Sequence, residues 1–555
     1  MSMKPKSTNN ASAFARIDAV LAEDGAILAG LPGVVEVWAG FKFRKGRLTN
    51  KPAIIVSVLT KRPVSEVKKA ELLPKKLDGV PVDVVPASAA QLVRFALIHG
   101  KALTEKSAPK LAGMVTPTAS VAAAVTALAV GVPRIPYVPS TPPLAPVKEK
   151  MKMVCHASPD AGWRLLSEFF GKTEKRMTET MYEFTAKHIL KKLTASLASP
   201  RKLGFIMDGG NPENETARAA LKRPLKTRMK FVWAAVADTP QVTKAFFPTA
   251  YHIKVSVRDG KVFWLSSGNW KDSNQPAIDP ITNPFPTQAK KDAFHRKQNR
   301  DWHVVVENET LAEQFERFIQ HDIAQAKPLQ KAAGAAIGIV ALTQEFAVAV
   351  SLADAGGVEF FPEQVFEKKL SVTPLLTPDN YMESVLPLIK KAKSKLYFQN
   401  QSLSAAVAQS PRYAEMLKAL RDKSKDPDVD LRVIVRGDFD PHKILSALAK
   451  FRFNMDRVKL QNGNHNKGIL IDDQITVVGS HNWTGQGTTE NRDASLIIRD
   501  ADVTAYYTKL FLHDWTRRST FDAPVAPAIA AVAGARIPPG SVRITAREIA
   551  AGGMV

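Results

Sequence analysis

Two α/β/α sandwich domains related by a pseudo-twofold axis, preceded by a small α+β domain, are the architecture this sequence predicts, an α/β class overall. Three observations carry that expectation. The segment HIKVSVRDGKVFWLSSGNW from His252 recurs as HNKGILIDDQITVVGSHNW from His465, aligned without a gap. The triplet Asn-Arg-Asp follows both copies, at residues 299–301 and 491–493. Upstream of each copy, apolar runs of strand length alternate with stretches of helical period, in the same order and over 92 residues from Asp160 to His252 and 86 from Asp379 to His465.

Residues 1–100 read as the small α+β domain. Ala11 to Leu31 has apolar residues at helical spacing and Gly33 ends it. Val34 to Phe43, Ala53 to Leu59 and Val80 to Val85 read as strands, and Val64 to Leu73 as a short helix. The stretch GFKFRKGRLTNKP lacks the glycine spacing and Gly-Lys-Ser/Thr ending of a phosphate loop, so its cations read as a solvated hairpin. Residues 101–150 form an Ala- and Pro-rich linker whose prolines, from Pro133 to Pro146, favour an extended spacer.

The first sandwich spans residues 151–330. After Ser158-Pro159-Asp160 come a helix, a strand over Met177 to Phe184, a helix over His188 to Leu197 and a strand over Leu203 to Asp208. Residues 331–356 are an Ala/Val-rich connector. The second sandwich spans 357–520: after Thr377-Pro378-Asp379 come a helix through Ile389, a strand over Lys395 to Gln399, a helix near Tyr413 to Arg421 and a strand over Asp430 to Val435. Residues 521–555 are a C-terminal tail. The two strands carrying His252 and His465 are expected to face each other across the pseudo-twofold axis.

Composition bounds the function. The chain has 555 residues, enough for about three or four domains. Its 45% hydrophobic and 23% charged residues describe an ordinary folded protein. The net charge of +24 favours a polyanionic partner, nucleic acid or an anionic membrane surface, over a merely basic exterior. Cys155 is the single cysteine, so no intramolecular disulfide forms, which fits a cytoplasmic location. The N-terminus lacks the apolar core of a signal peptide. The apolar runs Ser120 to Val132 and Ala332 to Leu352 are too short or too interrupted to cross a bilayer, so membrane contact is expected to be peripheral.

The repeated residues suit phosphodiester cleavage through a covalent intermediate. One imidazole attacks phosphorus and a second protonates the leaving oxygen, while lysine and asparagine side chains meet the non-bridging oxygens. On an extended strand His252 and Lys254, like His465 and Lys467, point to one face. One copy gives half a site, and two give two His, two Lys and two Asn around one phosphate. That implies one active site per chain and no obligate dimer.

In these residues the chain resembles the phospholipase D superfamily, whose signature is His-x-Lys, four residues, Asp, six residues, Gly-Ser-x-Asn. His465, Lys467, Asp472, Gly479, Ser480 and Asn482 match throughout; His252, Lys254, Asp259, Ser267 and Asn269 match with Ser266 in place of the first Gly. The resemblance implies His252 as nucleophile, His465 as acid and then base, and an acidic residue after the Asn motif as acceptor for each imidazole. Asp301 and Asp493 fill that role for the histidine of their own half, with Glu490 a rival and Ser267 and Ser480 beside them. Asp259 and Asp472, grouped with the catalytic set, are assigned to bracing the site through hydrogen bonds. Trp270 and Trp483 are expected to pack beneath it.

A further basic group, Lys290, Lys291, Arg296 and Lys297, lies with Phe285 and Phe294 in a segment that only the first half contains. It suits a polyanion, an anionic lipid surface or plain solvent. No cofactor and no metal are expected: His295, His303, His321 and His513 lack ligand-like neighbours, and the paired lysines supply the charge. The expected function is a phosphodiesterase hydrolysing or transferring a phospholipid head group through a phosphohistidine. A nuclease on the same site is the alternative, and an inactive anion-binding scaffold a third. The want of a membrane span weighs against a cardiolipin synthase.

Overall fold

The computed structural model describes residues 10–88, 90–92, 95, 132–209, 212–331, 345–349, 355–408, 410–525, 529–530 and 541–545. Almost all of the apolar run from Ser120 to Val132, and most of that from Ala332 to Leu352, lie outside the described residues. Among the described residues no helix is long and apolar enough to cross a membrane.

In the N-terminal domain, helix α1 (Asn10–Ala29) packs on a sheet of order β1-β2-β4-β3, from β1 (Val34–Arg44), β2 (Arg47–Val58), β3 (Lys76–Leu77) and β4 (Val80–Pro86). The basic stretch is the β1–β2 hairpin, turning at Lys45 and Gly46, both with positive φ as a tight two-residue turn requires. The expected helix from Val64 is instead two single 3₁₀ turns, Val64–Glu66 and Lys69–Glu71. Val64 and Leu72 stay exposed there, so no apolar face is buried to sustain a longer helix. The domain sits on the second sandwich, with Glu36 paired to Lys443 and the Phe43 ring 4.7 Å from that of His442.

The repeat forms one sheet. The first half contributes β5 (Val147–Ser158), β6 (Arg176–Met181), β7 (Lys202–Met207), β8 (Met229–Trp233), β9 (Val255–Arg258), β10 (Val262–Ser266) and β11 (Asp301–Glu307), in the order β5-β11-β10-β9-β6-β7-β8. After β12 (Glu345–Ala349) in the connector, the second half contributes β13 (Gln364–Leu376), β14 (Lys395–Asn400), β15 (Asp430–Arg436), β16 (Val458–Gln461), β17 (Lys467–Ile471), β18 (Ile475–Gly479) and β19 (Ala494–Arg499), and β20 (Ser519–Thr520) caps its edge. Its order, β13-β19-β18-β17-β14-β15-β16, repeats that of the first half, and antiparallel pairing of β5 with β13 joins the two. Within each half the three outer strands are parallel and the rest antiparallel.

Helices cover both faces. α2 (Gly162–Gly171), α3 (Lys187–Ser196) and α4 (Pro212–Leu225) pack on one flank. α5 (Gln288–Arg296) belongs to the segment only the first half contains, and α6 (Glu309–Ala326) runs under the seam. In the second half α7 (Tyr381–Lys391), α8 (Pro411–Lys425) and α9 (Pro441–Lys450) repeat the flank, and after the short α10 (Gly485–Thr489), α11 (Ala501–His513) matches α6. Phe315, Phe318 and Ile319 of α6 and Tyr507, Leu510 and Phe511 of α11 share one apolar core.

Two expectations about the connecting segments are corrected. The proline-rich part of 101–150 is no free spacer over its described residues: Ile135 N donates to Ala245 O at 2.8 Å, Ala145 N to Gln314 Oε1 at 2.8 Å, and residues 147–150 already belong to β5. Tyr137 and Leu144, set between the prolines, find apolar surface on the central core and hold the strap there. The connector and tail are likewise joined, since β12 pairs with β21 (Ile529–Ala530) and β22 (Ser541–Thr545) in a three-stranded sheet.

A pair of buried arginines locks the two halves together. Arg300 binds Asp160 of its own half and Asp514 at the end of α11; Arg492 binds Asp379 of its own half and Asp322 on α6. Each thus ties its own X-Pro-Asp corner to the last helix of the other half. Replacing Arg492 by Met would leave two buried carboxylates without a counter-charge, a change expected to cost about 3–5 kcal/mol. Urea denaturation should show a lower midpoint for Arg492→Met and an unchanged one for Arg412→Met, whose partner Glu383 is exposed. Equal midpoints in both variants would contradict this.

Candidate active site

The segments carrying the two histidines lead into β9 and β17, the middle strands of their halves, and each is bound by the other half. His252 N donates to Arg492 O at 2.7 Å, and His465 N to Arg300 O at 3.1 Å. Arg492 N and Arg300 N donate back to Ala250 O and Gly463 O. Each histidine segment therefore runs parallel to the Asn-Arg-Asp backbone of the opposite half, and both imidazoles are buried in one place.

The carboxylates are exchanged accordingly. His252 Nδ1 lies 2.7 Å from Asp493 Oδ1, and His465 Nδ1 lies 2.8 Å from Asp301 Oδ1. The expectation that each aspartate serves the histidine of its own half is thus corrected: the pairs cross the pseudo-twofold axis because each Asp follows the Arg whose backbone holds the opposite histidine. Ser267 Oγ donates to Asp301 and Ser480 Oγ to Asp493, and each hydroxyl accepts the amide N–H of the residue after that Asp. Ser267 and Ser480 thereby fix the carboxylates. Glu490, the rival acceptor, is on the surface, paired with Arg134 at 3.2 Å.

Lys254 and Lys467 fold back over their own histidines, donating to the carbonyls of His252 at 2.5 Å and His465 at 2.6 Å. Lys467 also reaches Ser267 O at 3.2 Å, across the axis. Asn269 and Asn482 follow at the ends of β10 and β18, and the Oδ1 atoms of both are buried without a hydrogen-bond partner. Trp270 and Trp483 are fully buried beneath, as the sequence suggests.

Asp259 and Asp472 are elsewhere. They occupy the turns at the far ends of the β9–β10 and β17–β18 hairpins, roughly 20 Å of strand from the histidines. Asp259 accepts the backbone N–H groups of Glu174, Lys175 and Arg176, and Asp472 those of Lys393, Ser394 and Lys395. Partial burial acts against these carboxyls, yet the amides hold both below their ordinary range. Their fixed spacing from the lysines reflects hairpin length, so they brace the strand and take no part in the site.

Ser266, the one departure from the family signature, has a local cause. Its Oγ lies 2.6 Å from His303 Nδ1, directly across the β10–β11 pair. In the second half Gly479 faces Ser495, whose Oγ lies 2.7 Å from His481 Nδ1, and a Cβ at Gly479 would meet Ser495 Oγ at 2.1 Å. Both halves place such a buried serine–imidazole pair here, with its members on different segments of the chain.

Lys290, Arg296 and Lys297 are exposed on or just after α5, and Lys291 lies over the Phe360 ring. The inward residues of α5 are Asp292, which accepts the N–H groups of Gly357 and Val358, and His295, which contacts Arg300. Sequence reasoning missed Tyr182, whose ring lies 4.9 Å from that of His252, and Glu183, which binds Asn269 and Lys271. It also missed the lock that Arg300 and Arg492 form, although the recurrence of Asn-Arg-Asp was the available signal.

Burial dominates the electrostatics. Desolvation, with Lys254 and Lys467 adding to it, drives His252 well below the ordinary histidine range, and desolvation and Lys467 bring His465 down to about 3 despite Asp301. Burial also lowers Lys254 to about 7 against four nearby carboxylates, and Lys467 falls well below its usual value. Burial alone would raise Asp301, but His465 and Lys467 outweigh it and hold the carboxyl below its ordinary range. Asp493 lacks the extra bond that Asn274 gives Asp301, and burial pushes it up to about 7.

The unfolded chain protonates His465 near pH 6.5, whereas the folded chain resists to about 3. The unfolded state therefore binds more protons below pH 6.5, and this group withdraws stability as pH falls, at about 1.4 kcal/mol per unit. Asp493 acts in the opposite direction, with its raised value, equally in parent and variant. Between pH 6.5 and 5.5 His465→Gln should lose about 1 kcal/mol less stability than the parent. Equal losses in urea denaturation would show that His465 is not held neutral.

A family model described as cardiolipin synthase, PLD-like domain, matches residues 385–515. Mitochondrial cardiolipin hydrolase of Xenopus laevis is 28% identical over 166 residues, covering 28% of this chain and 75% of that protein. Phosphatidylserine synthase from Haemophilus influenzae Rd KW20 aligns with 66% of this chain and 87% of its own at 15% identity and a TM-score of 0.45. Nuc from Salmonella typhimurium, a phospholipase D family member, aligns with 27% of this chain and 99% of its own at 18% identity and a TM-score of 0.22. The family match falls on the half carrying His465, the other half brings the second copy of the motif to the same place, and both support the resemblance to the phospholipase D superfamily.

Proposed function

We propose that the chain is a phosphodiesterase acting on a phospholipid head group through a phosphohistidine at His252. The crossed pairs carry this reading: each imidazole has Nδ1 engaged by a carboxylate, so each Nε2 is presented to substrate in the same tautomer. His252 Nε2 attacks phosphorus while His465, made imidazolium beside Asp301 when the anionic substrate binds, gives its Nε2 proton to the leaving alcohol oxygen as the phosphorus–oxygen bond breaks, and is left neutral. His465 then takes a proton from water, whose oxygen attacks phosphorus and breaks the phosphorus–nitrogen bond. An alcohol in place of water gives transfer.

The order of the two histidines is supported by their partners. Asp301 accepts from Ser267, Asn274 and His465 and stays ionised, so it stabilises an imidazolium better than Asp493 does, which suits His465 to the acid role. Lys254, Lys467, Asn269 and Asn482 donate to the non-bridging oxygens, where charge concentrates. The substrate class rests on the names of the matches, cardiolipin synthase for the family model and cardiolipin hydrolase for the Xenopus protein. Lys290, Lys291, Arg296 and Lys297 add to the field that draws an anionic lipid surface. The net charge of +24 favours nucleic acid as the second reading.

The test is turnover of purified protein, with chelator, on labelled cardiolipin and phosphatidylcholine vesicles and on single- and double-stranded nucleic acid in parallel. Lipid cleavage unaffected by chelator is expected, with His252→Ala and His465→Ala both inactive. Asp301→Asn and Asp493→Asn should each lose about a hundredfold in kcat with KM little changed. Acid-quenched mass spectrometry should find phosphate on His252; an adduct on a serine, or cleavage of nucleic acid alone, would refute the respective part of the reading.

A further inference from the structure

Each guanidinium in the lock between the halves offers five N–H donors, and in both arginines all five are met. Arg492 donates through Nε and Nη2 to Asp322 and through Nη1 to Thr377 O and Asp379, which leaves one Nη2 donor. Arg300 donates through Nε and Nη2 to Asp514 and through Nη1 to Ser158 O and Asp160, which leaves the same one. Eight of the ten acceptor positions are thus repeated between the halves. The fifth acceptors are not. For Arg492 it is the hydroxyl of Tyr137, at 2.5 Å, and for Arg300 it is Nε2 of His295, at 3.2 Å.

Both fifth acceptors come from outside the repeat. Tyr137 lies on the proline-rich strap, its ring 4.9 Å from the Arg492 guanidinium and packed on Phe246 and Phe247. His295 is on α5, in the segment only the first half contains, stacked on Phe360. Burial together with Arg518 and Arg300 keeps that imidazole neutral, so its Nε2 lone pair stays available. The guanidinium in turn fixes the backbone that receives the opposite histidine, and the next residue carries that histidine's carboxylate.

We propose that Tyr137 and His295 are positioning residues for the two catalytic dyads, Tyr137 setting His252–Asp493 through Arg492 and His295 setting His465–Asp301 through Arg300. The strap and the α5 segment are therefore parts of the active-site apparatus, each assigned to one histidine. The proposal rests on the reading of the site above, and it separates the two histidines, which a general loss of stability would not do. Removing the acceptor leaves one buried N–H unmet, and the Arg-Asp backbone shifts to find a partner.

The experiment uses the full chain labelled with ¹⁵N-histidine, as parent, Tyr137→Phe, His295→Leu and His295→Gln, the last retaining an acceptor. In Tyr137→Phe the ring resonances of His252 should move and those of His465 stay; in His295→Leu the reverse should hold, with His295→Gln close to the parent. In kinetics, kcat should fall about tenfold or more with KM unchanged for Tyr137→Phe and His295→Leu. If Tyr137→Phe fails to fold, the contrast of His295→Leu with His295→Gln decides on its own. Resonances of both histidines moving together, or neither moving, would overturn the proposal. Selective shifts in a protein inactive on every phosphodiester would uphold it while refuting the proposed function.

Discussion

Exchange of backbone across the pseudo-twofold axis is the constraint on which this molecule depends. A histidine placed only by its own strand would be free to tilt with that strand. Here the amide of each histidine is bonded to the carbonyl of an arginine in the other half, and the next residue of that half holds its imidazole. The arginine is immobile because its guanidinium is buried among carboxylates from both halves. Burying such ionic groups brings little net stability compared with apolar packing; what it supplies is register. The β5–β13 seam aligns the halves coarsely, and the arginines set the alignment at the scale of one hydrogen bond.

The site is a closed electrostatic system. Two lysine amines and two aspartate carboxyls lie with two neutral imidazoles in a region almost without water contact. Burial weakens every charge there, so the lysines lose affinity for protons and Asp493 gains it. A phosphodiester anion reverses that balance. In the proposed reaction it adds negative charge where the lysines point, favours their ammonium form and makes an imidazolium possible at His465. Preorganised donors of this kind need no rearrangement when charge develops on phosphorus.

Much of this was legible in the sequence because duplication turns weak signals into paired ones. The spacing of His252, Lys254, Ser267 and Asn269 against His465, Lys467, Ser480 and Asn482 located the site, and the order of strands and helices before each motif gave the architecture. The crossing of Asp301 and Asp493 was not legible, because sequence distance carries no information about which half a side chain serves. Asp259 and Asp472 misled for the opposite reason: they keep a fixed spacing from the lysines because a hairpin has a fixed length, and their carboxylates serve backbone amides at its far end. The seam strand β5, reading VKEKMKMVCHAS, hides its pattern because its first residues alternate lysine and glutamate, exposed to solvent, before it turns apolar.

The serine and imidazole pairs behind the site show how far the halves have diverged while keeping one interior. The first half holds Ser266 against His303, and the second holds Ser495 against His481 with glycine where the first has serine. Such exchanges are tolerated because they stay within one half. Substitutions at the arginine–aspartate segments are of another kind, since their effect is felt by a histidine encoded some 160 to 240 residues away. Each half supplies the environment of the other's histidine, so sequence change in this protein is expected to be paired across its midpoint.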